Sequence, residues 1–268
     1  MDAMAKIIQE IGILAGLQSS EDISNINLEE LKLEAANATT GKLGGLDCQI
    51  CHNRGYTYFM QHSGELVTRE CQCMPKRRNL LRIERSGLKD VLDGYTFERY
   101  QTPHDWQRKA KLTAMKYAVE SNGQWFCALG AVGSGKSHLC TAICGKLLDA
   151  GFEVRYMLWR DDSRKIKAVV NDAEEYERLA EPLKTVQVLY IDDFFKSGEG
   201  NITAGDINLA FEILNARYIR KNLVTIISSE HSLEKVLDID EAIGSRIREK
   251  SKGFCLHFEG SDKNWRLR

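Results

Sequence analysis

The apolar positions of this chain change character about a third of the way along. Beyond about residue 90, short unbroken apolar runs alternate with stretches whose apolar residues recur at helical spacing. Trp125–Leu129 reads as a buried strand, and Leu139–Leu148 reads as the helix that follows it. "FEVRYMLW" (152–159) is a second strand, followed by a charged helical stretch over 161–182. "VQVLYIDDFF" (186–195) is a third. A helix from about Asp206 to Arg220 comes next, opened by a capping box at Thr203 and Asp206, with a stripe of Ile207, Phe211, Leu214 and Tyr218. "LVTIISSE" (223–230) is a fourth strand. A helix around 240–250, with Ile239, Ile243 and Ile247 on one stripe, leads to the closing strand "GFCLHF" (253–258). One more helix, about Trp106–Ser121, precedes the first strand. Strands alternating with helices predict an α/β fold with a parallel sheet.

The first 88 residues follow another pattern. Residues 1–17 place Ile7, Ile8, Ile11, Leu14 and Leu17 on one helical stripe, which suits a packing helix or a docking helix for another protein. Residues 18–47 are rich in Ser, Asn, Glu and Gly and read as a tether with one short helix over Leu28–Ala36. Residues 56–69 read as a hairpin, with alternating Tyr56, Tyr58 and Met60, a turn at His62–Gly64 and a return strand over Glu65–Arg69. Residues 75–89 are strongly basic. Arg77, Arg78, Arg82 and Arg85 fit a nucleic-acid backbone, although such a run is more often a solvated helix face. Gly87 ends that helix. The expected domains are therefore 1–47, 48–88 and 89–268.

Charge and cysteine content change this picture in two ways. The formal net charge over 268 residues is −1, so any nucleic-acid binding must come from a local patch. No apolar run approaches the length of a membrane span, and no secretory signal opens the sequence. The expected location is the cytoplasm, where eight cysteines are reduced thiols or metal ligands. Half of them, Cys48, Cys51, Cys71 and Cys73, flank the hairpin in two close pairs. Two such pairs suit a structural Zn²⁺ site closed by four thiolates. Four free thiols remain the alternative, and His52 or His62 can replace a cysteine.

The candidate chemistry sits at the ends of the strands. Gly130, Gly133, Ser134, Gly135, Lys136, Ser137 and His138 lie between a strand and a helix, and fit G-x-x-x-x-G-K-S. That context marks a P-loop. Its glycines let backbone N–H groups turn onto a phosphate, and the helix N-terminus adds positive potential. Lys136 suits the β- and γ-phosphates of ATP, and Ser137 suits Mg²⁺. About 55 residues later, a buried strand ends in Asp192 and Asp193. This is a Walker B arrangement, with Asp192 toward Mg²⁺ and Asp193 toward the attacking water. Ser228, Ser229 and Glu230 end the strand expected beside it and point toward the γ-phosphate. Arg246 and Arg248 flank the last apolar stripe and are expected to be exposed.

"GAVGSGKSHLCTAI", "VLYIDDFFK", "TIISSE", "DIDEAIGSRI" and the terminal "NWRL" together resemble the DnaC/DnaI-type replicative helicase loaders. "RIERSGL", "YTFERY" and the upstream cysteines resemble the versions carried by phages and prophages of Gram-positive bacteria. The likeness covers roughly residues 45–268. It implies an AAA+ P-loop ATPase domain preceded by a small zinc-binding module that touches the helicase. It implies ATP-dependent delivery of a DnaB-family replicative helicase onto single-stranded DNA, with self-association through the ATPase domain. It makes Glu230 a sensor residue, where Asn is usual, and Arg246 a finger for the γ-phosphate of a neighbouring subunit. It sets Arg160, Arg164, Lys165 and Lys167 along the DNA path. The rival readings are an IstB-type transposition helper, a group that usually lacks a cysteine-rich module, and an ATP-switched adaptor with little turnover.

Overall fold

The computed structural model describes residues 28–197 and 201–265. The candidate helix over residues 1–17 lies outside the described residues. The chain forms two compact units, which divide between Arg78 and Asn79.

In the first unit, α1 (Leu28–Ala38) precedes an antiparallel hairpin of β1 (Tyr56–Met60) and β2 (Leu66–Glu70), with Tyr56 opposite Glu70 and Met60 opposite Leu66. Gly64 takes a left-handed conformation in the turn, as expected there. The four cysteines form this unit's buried centre. Residues 39–47 are bonded into the unit rather than strung out as a tether. Gly41 N–H donates to His52 O, and Leu43 N–H donates to Asn53 O. Arg77, on α2 (Met74–Ser86), secures the same stretch by donating to the carbonyls of Leu43, Gly44 and Leu46. It is 5% exposed, so it is a structural strap and does not face a nucleic-acid backbone. Arg78 pairs with Glu70 at 2.7 Å.

The second unit is a five-stranded, wholly parallel sheet. Its strands are β3 (Phe126–Gly130), β4 (Val154–Leu158), β5 (Val188–Asp192), β6 (Val224–Ser229) and β7 (Cys255–Phe258), in the order β4-β5-β6-β3-β7. The apolar runs are unbroken because both faces of the sheet are covered. Phe126 and Ala128 enter one core with Tyr190 and Ile226, while Cys127 and Leu129 enter the other with Leu189, Ile191 and Ile227. After the single-turn α3 (Lys89–Leu92), α4 (Asp105–Glu120) and α5 (Lys136–Asp149) cover the first face through Tyr117, Leu139 and Ile143. The second receives α8 (Ala204–Ile219), α9 (Leu233–Ile239) and α10 (Glu241–Lys250) through Ile213, Leu214, Val236, Ile243 and Ile247.

Two helical expectations need correction. The stretch 161–182 is two helices, α6 (Trp159–Ala168) and α7 (Ala173–Thr185), with Asp172 capping the second by accepting from Glu175 N–H. On α8 the capping box forms as read, but the buried face is Leu209, Ala210, Ile213, Leu214 and Arg217. Ile207, Phe211, Leu214 and Tyr218 share one line along the margin of that face, with Ile207 and Tyr218 half-buried and Phe211 37% exposed, so the stripe read from the sequence is displaced from the core-facing side.

Arg217 is a fully buried cation in the middle of that core face. It donates to Thr225 Oγ1 at 2.9 Å, to Leu183 O at 3.0 Å, to Val186 O at 2.9 Å and to Val224 O at 2.6 Å. Burial lowers its pKa to about 9. These bonds tie α8 to the end of α7 and the start of β6. Arg217→Ala removes them, strands buried carbonyls and opens a cavity. The expected loss is about 3 kcal/mol or more of unfolding free energy, measured by urea denaturation. A loss within 0.5 kcal/mol, the usual range for surface substitutions, would contradict this role.

Candidate nucleotide-binding site

The parallel topology brings the glycine loop after β3 and the carboxylates after β5 to one edge of the sheet, with β6 between them. Ser137 Oγ donates to Asp192 Oδ1 at 3.0 Å, which closes the gap between the two motifs. Asp192 also accepts from Ser228 Oγ, and from Tyr156 OH at 3.2 Å. A hydroxyl beside a carboxylate is the donor set Mg²⁺ takes in phosphate sites, so Ser137 and Asp192 fit that ion.

The loop itself is shaped as a cradle. Gly135, the residue before α5, has φ 88°, and a Cβ there would lie 2.8 Å from the Tyr100 ring. Lys136 is 6% exposed and donates to Gly130 O at 2.9 Å and Ala131 O at 2.7 Å. Burial lowers its pKa, against the pull of the Glu230 and Asp193 carboxylates. The loop forms one wall of a cavity of about 400 Å³. Asp193, Lys196 and Glu230 line it, as do Tyr95, Tyr100 and Trp265. Tyr100 is buried, its pKa is pushed up to about 12, and its hydroxyl has no partner among the described residues. An orphaned hydroxyl and a backbone cradle in one cavity fit a phosphorylated ligand carrying further polar groups.

His138 stacks on Tyr95 at 5.0 Å between ring centres and meets Tyr100 edge-on at 5.1 Å. Its Nε2 lies 2.8 Å from Thr96 O, a group that only accepts, so the proton sits on Nε2. Burial lowers the His138 pKa. Trp265 N–H donates to Gly133 O at 2.9 Å, which secures the end of the described chain to the loop.

The Walker B end departs from regular strand geometry. Asp193 and Phe195 have φ 54° and 60°. Asp193 N–H donates to Ser228 Oγ at 3.1 Å. The Phe194 and Phe195 rings stack at 4.1 Å, and Trp159 meets both edge-on. Lys196 Nζ lies 3.1 Å from Asp193 Oδ2 and 2.8 Å from Glu230 Oε1. Its pKa is raised, first by its bond to Glu230.

Most of the sequence-derived set comes together here: Gly133, Ser134, Gly135, Lys136, Ser137, His138, Asp193 and Glu230 line one cavity, and Asp192 abuts it. Three expectations fail. Ser228 is committed to Asp192, Ser229 donates to Phe194 O at 2.7 Å, and only Glu230 reaches the cavity. Arg246 is not an exposed edge residue. Its guanidinium lies 5.0 Å over Phe211 and 5.4 Å over Tyr218, and it donates to Ala242 O at 2.7 Å. Lys167 does not stand free beside a DNA path, because it pairs with Asp206 of the α8 capping box. Tyr95, Tyr100, Lys196 and Trp265 were missed as site residues. Their signal was the aromatic "YTFERY" stretch, the lysine closing "DDFFK" and the aromatic in "NWRL".

In the first unit, the Sγ atoms of Cys48, Cys51, Cys71 and Cys73 lie within 4.8 Å of one another. The closest pairs are Cys51–Cys73 at 3.6 Å and Cys48–Cys71 at 3.8 Å. Tetrahedral zinc at about 2.3 Å from sulfur sets neighbouring sulfurs about 3.8 Å apart. Gly55 N–H lies 3.4 Å from Cys51 Sγ and Arg77 Nε lies 3.5 Å from Cys73 Sγ, donors that suit thiolates. The four cysteines fit zinc, and neither His52 nor His62 joins the cluster.

The model of a family described as "IstB-like ATP binding protein" matches residues 28–247. The chain belongs to this family. It is 28% identical over 232 residues to phage-like element PBSX protein XkdC of Bacillus subtilis, covering 80% of this chain and 83% of that protein. It is 27% identical over 185 residues to the replicative helicase loader DnaC of Escherichia coli, covering 68% and 73%. Among solved structures it is similar to the DnaC helicase loader, with TM-score 0.51 and 19% identity over 61% of this chain and 95% of that one. DnaI gives TM-score 0.51 and 20% identity, over 62% and 90%. These likenesses confirm the AAA+ fold. No described helix is long and apolar enough to cross a membrane.

Two outcomes check the sites. Gly135→Ala forces a Cβ into Tyr100 at a left-handed position, so nucleotide binding is expected to fall at least tenfold while the far-ultraviolet circular dichroism is kept. Unchanged binding by calorimetry would remove the cradle from the site. Metal analysis of protein purified without chelator is expected to give one zinc per chain, lost in Cys51→Ser; zinc-free parent protein would refute the assignment.

Proposed function

We propose that this chain is an ATP-hydrolysing loader that delivers a ring-shaped DnaB-family replicative helicase onto single-stranded DNA. The observation that carries the reading is the Ser137–Asp192 bond. It unites a P-loop and a Walker B acid into one ATP–Mg²⁺ site, in a chain similar to a named replicative helicase loader. Bound Mg²⁺ supplies charge neutralisation at the phosphates. Gly130–Gly135 hold the phosphates by their backbone, and Lys136 adds a cation. Asp193 orients the attacking water and accepts its proton. The four-cysteine module grips the helicase. The family description itself keeps a second reading in play, an IstB-type transposition helper.

In this proposal Arg246 completes the ATP site of a neighbouring copy. Its place on Phe211 and Tyr218 is then a resting position, from which it moves when copies associate. Such fingers are worth about 10³–10⁵ in rate. DNA contact falls to Arg160, Arg164 and Lys165. All three are exposed, although Arg164 and Lys165 also pair with Asp161 and Asp162.

Lys136→Ala is expected to weaken ATP binding, and Asp193→Asn to keep ATP bound while stopping hydrolysis. Parent-level hydrolysis in both would refute the site. Arg246→Ala and Lys136→Ala proteins, each inactive alone, are expected to regain hydrolysis when mixed, because a mixed interface pairs an intact loop with an intact arginine. No recovery in a mixture that demonstrably associates rejects the shared site. A pull-down with purified replicative helicase, and with a transposase as control, separates the two family readings. Arg160→Glu with Arg164→Glu is expected to weaken single-strand binding and flatten its salt dependence.

A further inference from the structure

We propose that Lys196, anchored by Glu230, is the group with which this chain distinguishes ATP from ADP. The inference rests on the nucleotide-site reading above and deepens it. The Walker B end of the cavity is crowded with negative charge. Asp193 and Glu230 line it, and Asp192 lies directly behind Ser137. A bare carboxylate at Glu230 would repel a terminal phosphate, whereas a neutral amide would bond to it. Lys196 resolves the conflict by sitting between Asp193 and Glu230, at 3.1 Å and 2.8 Å.

The donor count points further. An ammonium carries three N–H groups. Lys136 directs two at Gly130 O and Ala131 O. Lys196 directs two at Asp193 and Glu230, and its third has no partner among the described residues. Its side chain is 37% exposed and lines the cavity. Two carboxylates thus hold a cation in place with a donor to spare. The Lys196–Glu230 pair does by charge what a neutral side chain does by its amide, and Glu230 acts as the positioning residue for Lys196. The opposing possibility is a latch that only pins the 193–197 loop.

The test measures the affinity of the full chain, with Mg²⁺, for ADP and for a non-hydrolysable ATP analogue. Lys196→Met is expected to weaken the triphosphate about tenfold or more relative to ADP, the loss of one charge-assisted hydrogen bond. Lys196→Arg is expected to retain most of the preference. Adding Glu230→Gln to Lys196→Met is expected to restore part of it, since no carboxylate is then left facing the phosphate alone. A latch would instead lower the melting temperature and weaken both nucleotides equally; an unchanged triphosphate-to-diphosphate ratio in Lys196→Met overturns the proposal. If the parent binds neither nucleotide, the site reading fails, and this inference fails with it. If the parent binds both and the ratio holds, only the inference fails.

Discussion

The second unit depends on how one carboxylate is satisfied. Asp192 accepts from Ser137 of the glycine loop, Ser228 of β6 and Tyr156 of β4. Each comes from a different βα connection or strand, and no two are close in sequence. A half-buried carboxylate without such partners would be costly, so the register of β4, β5 and β6 at this edge is tied to one side chain. The parallel order β4-β5-β6-β3-β7 makes the convergence possible. It interposes β6 between the strands that carry the glycine loop and the acid, and the direct Ser137–Asp192 bond spans the interval.

Lys136 and Lys196 of the site, and Arg246 outside the cavity, are each engaged in the described fold. Lys136 is turned onto its own loop, Lys196 is shared by two acids, and Arg246 lies on two aromatic rings. The partners of Lys136 and Arg246 are carbonyls and π-faces, weaker than an anion for a cation. Lys196 is instead held by two carboxylates. The structure is preorganised in backbone and adaptable in its long side chains.

Much of this was legible in the sequence, and the misses have physical causes. Buried parallel strands produce unbroken apolar runs, and the P-loop and Walker B acids are local patterns, so strand positions and Gly133–Ser137, Asp192 and Asp193 were readable. The cysteine pairs announced their cluster for the same reason. Arg77 and Arg217 were not readable, because a basic residue that solvates backbone carbonyls looks identical in sequence to one that faces water. The stripe on α8 was misread because its core-facing side includes Ala210 and the buried cation Arg217, which a search for large apolar residues passes over. Lys196 and Trp265 gain their meaning from neighbours distant in sequence. Arg246 was read as exposed because periodicity does not reveal that Phe211 and Tyr218 wait across the helix pair.

The left-handed turn after β5 carries an evolutionary consequence. Asp193 and Phe195 both sit where side-chain-bearing residues are uncomfortable, and the stacked Phe194–Phe195 pair under Trp159 enforces it. Asp and Asn tolerate this conformation better than most residues, and Gly adopts it without penalty. At position 193, glycine relaxes the backbone while removing the acid. On the proposed role of Asp193, drift toward a sturdier protein at this turn would run toward a silent one, so folding and the proposed chemistry pull in opposite directions at one residue.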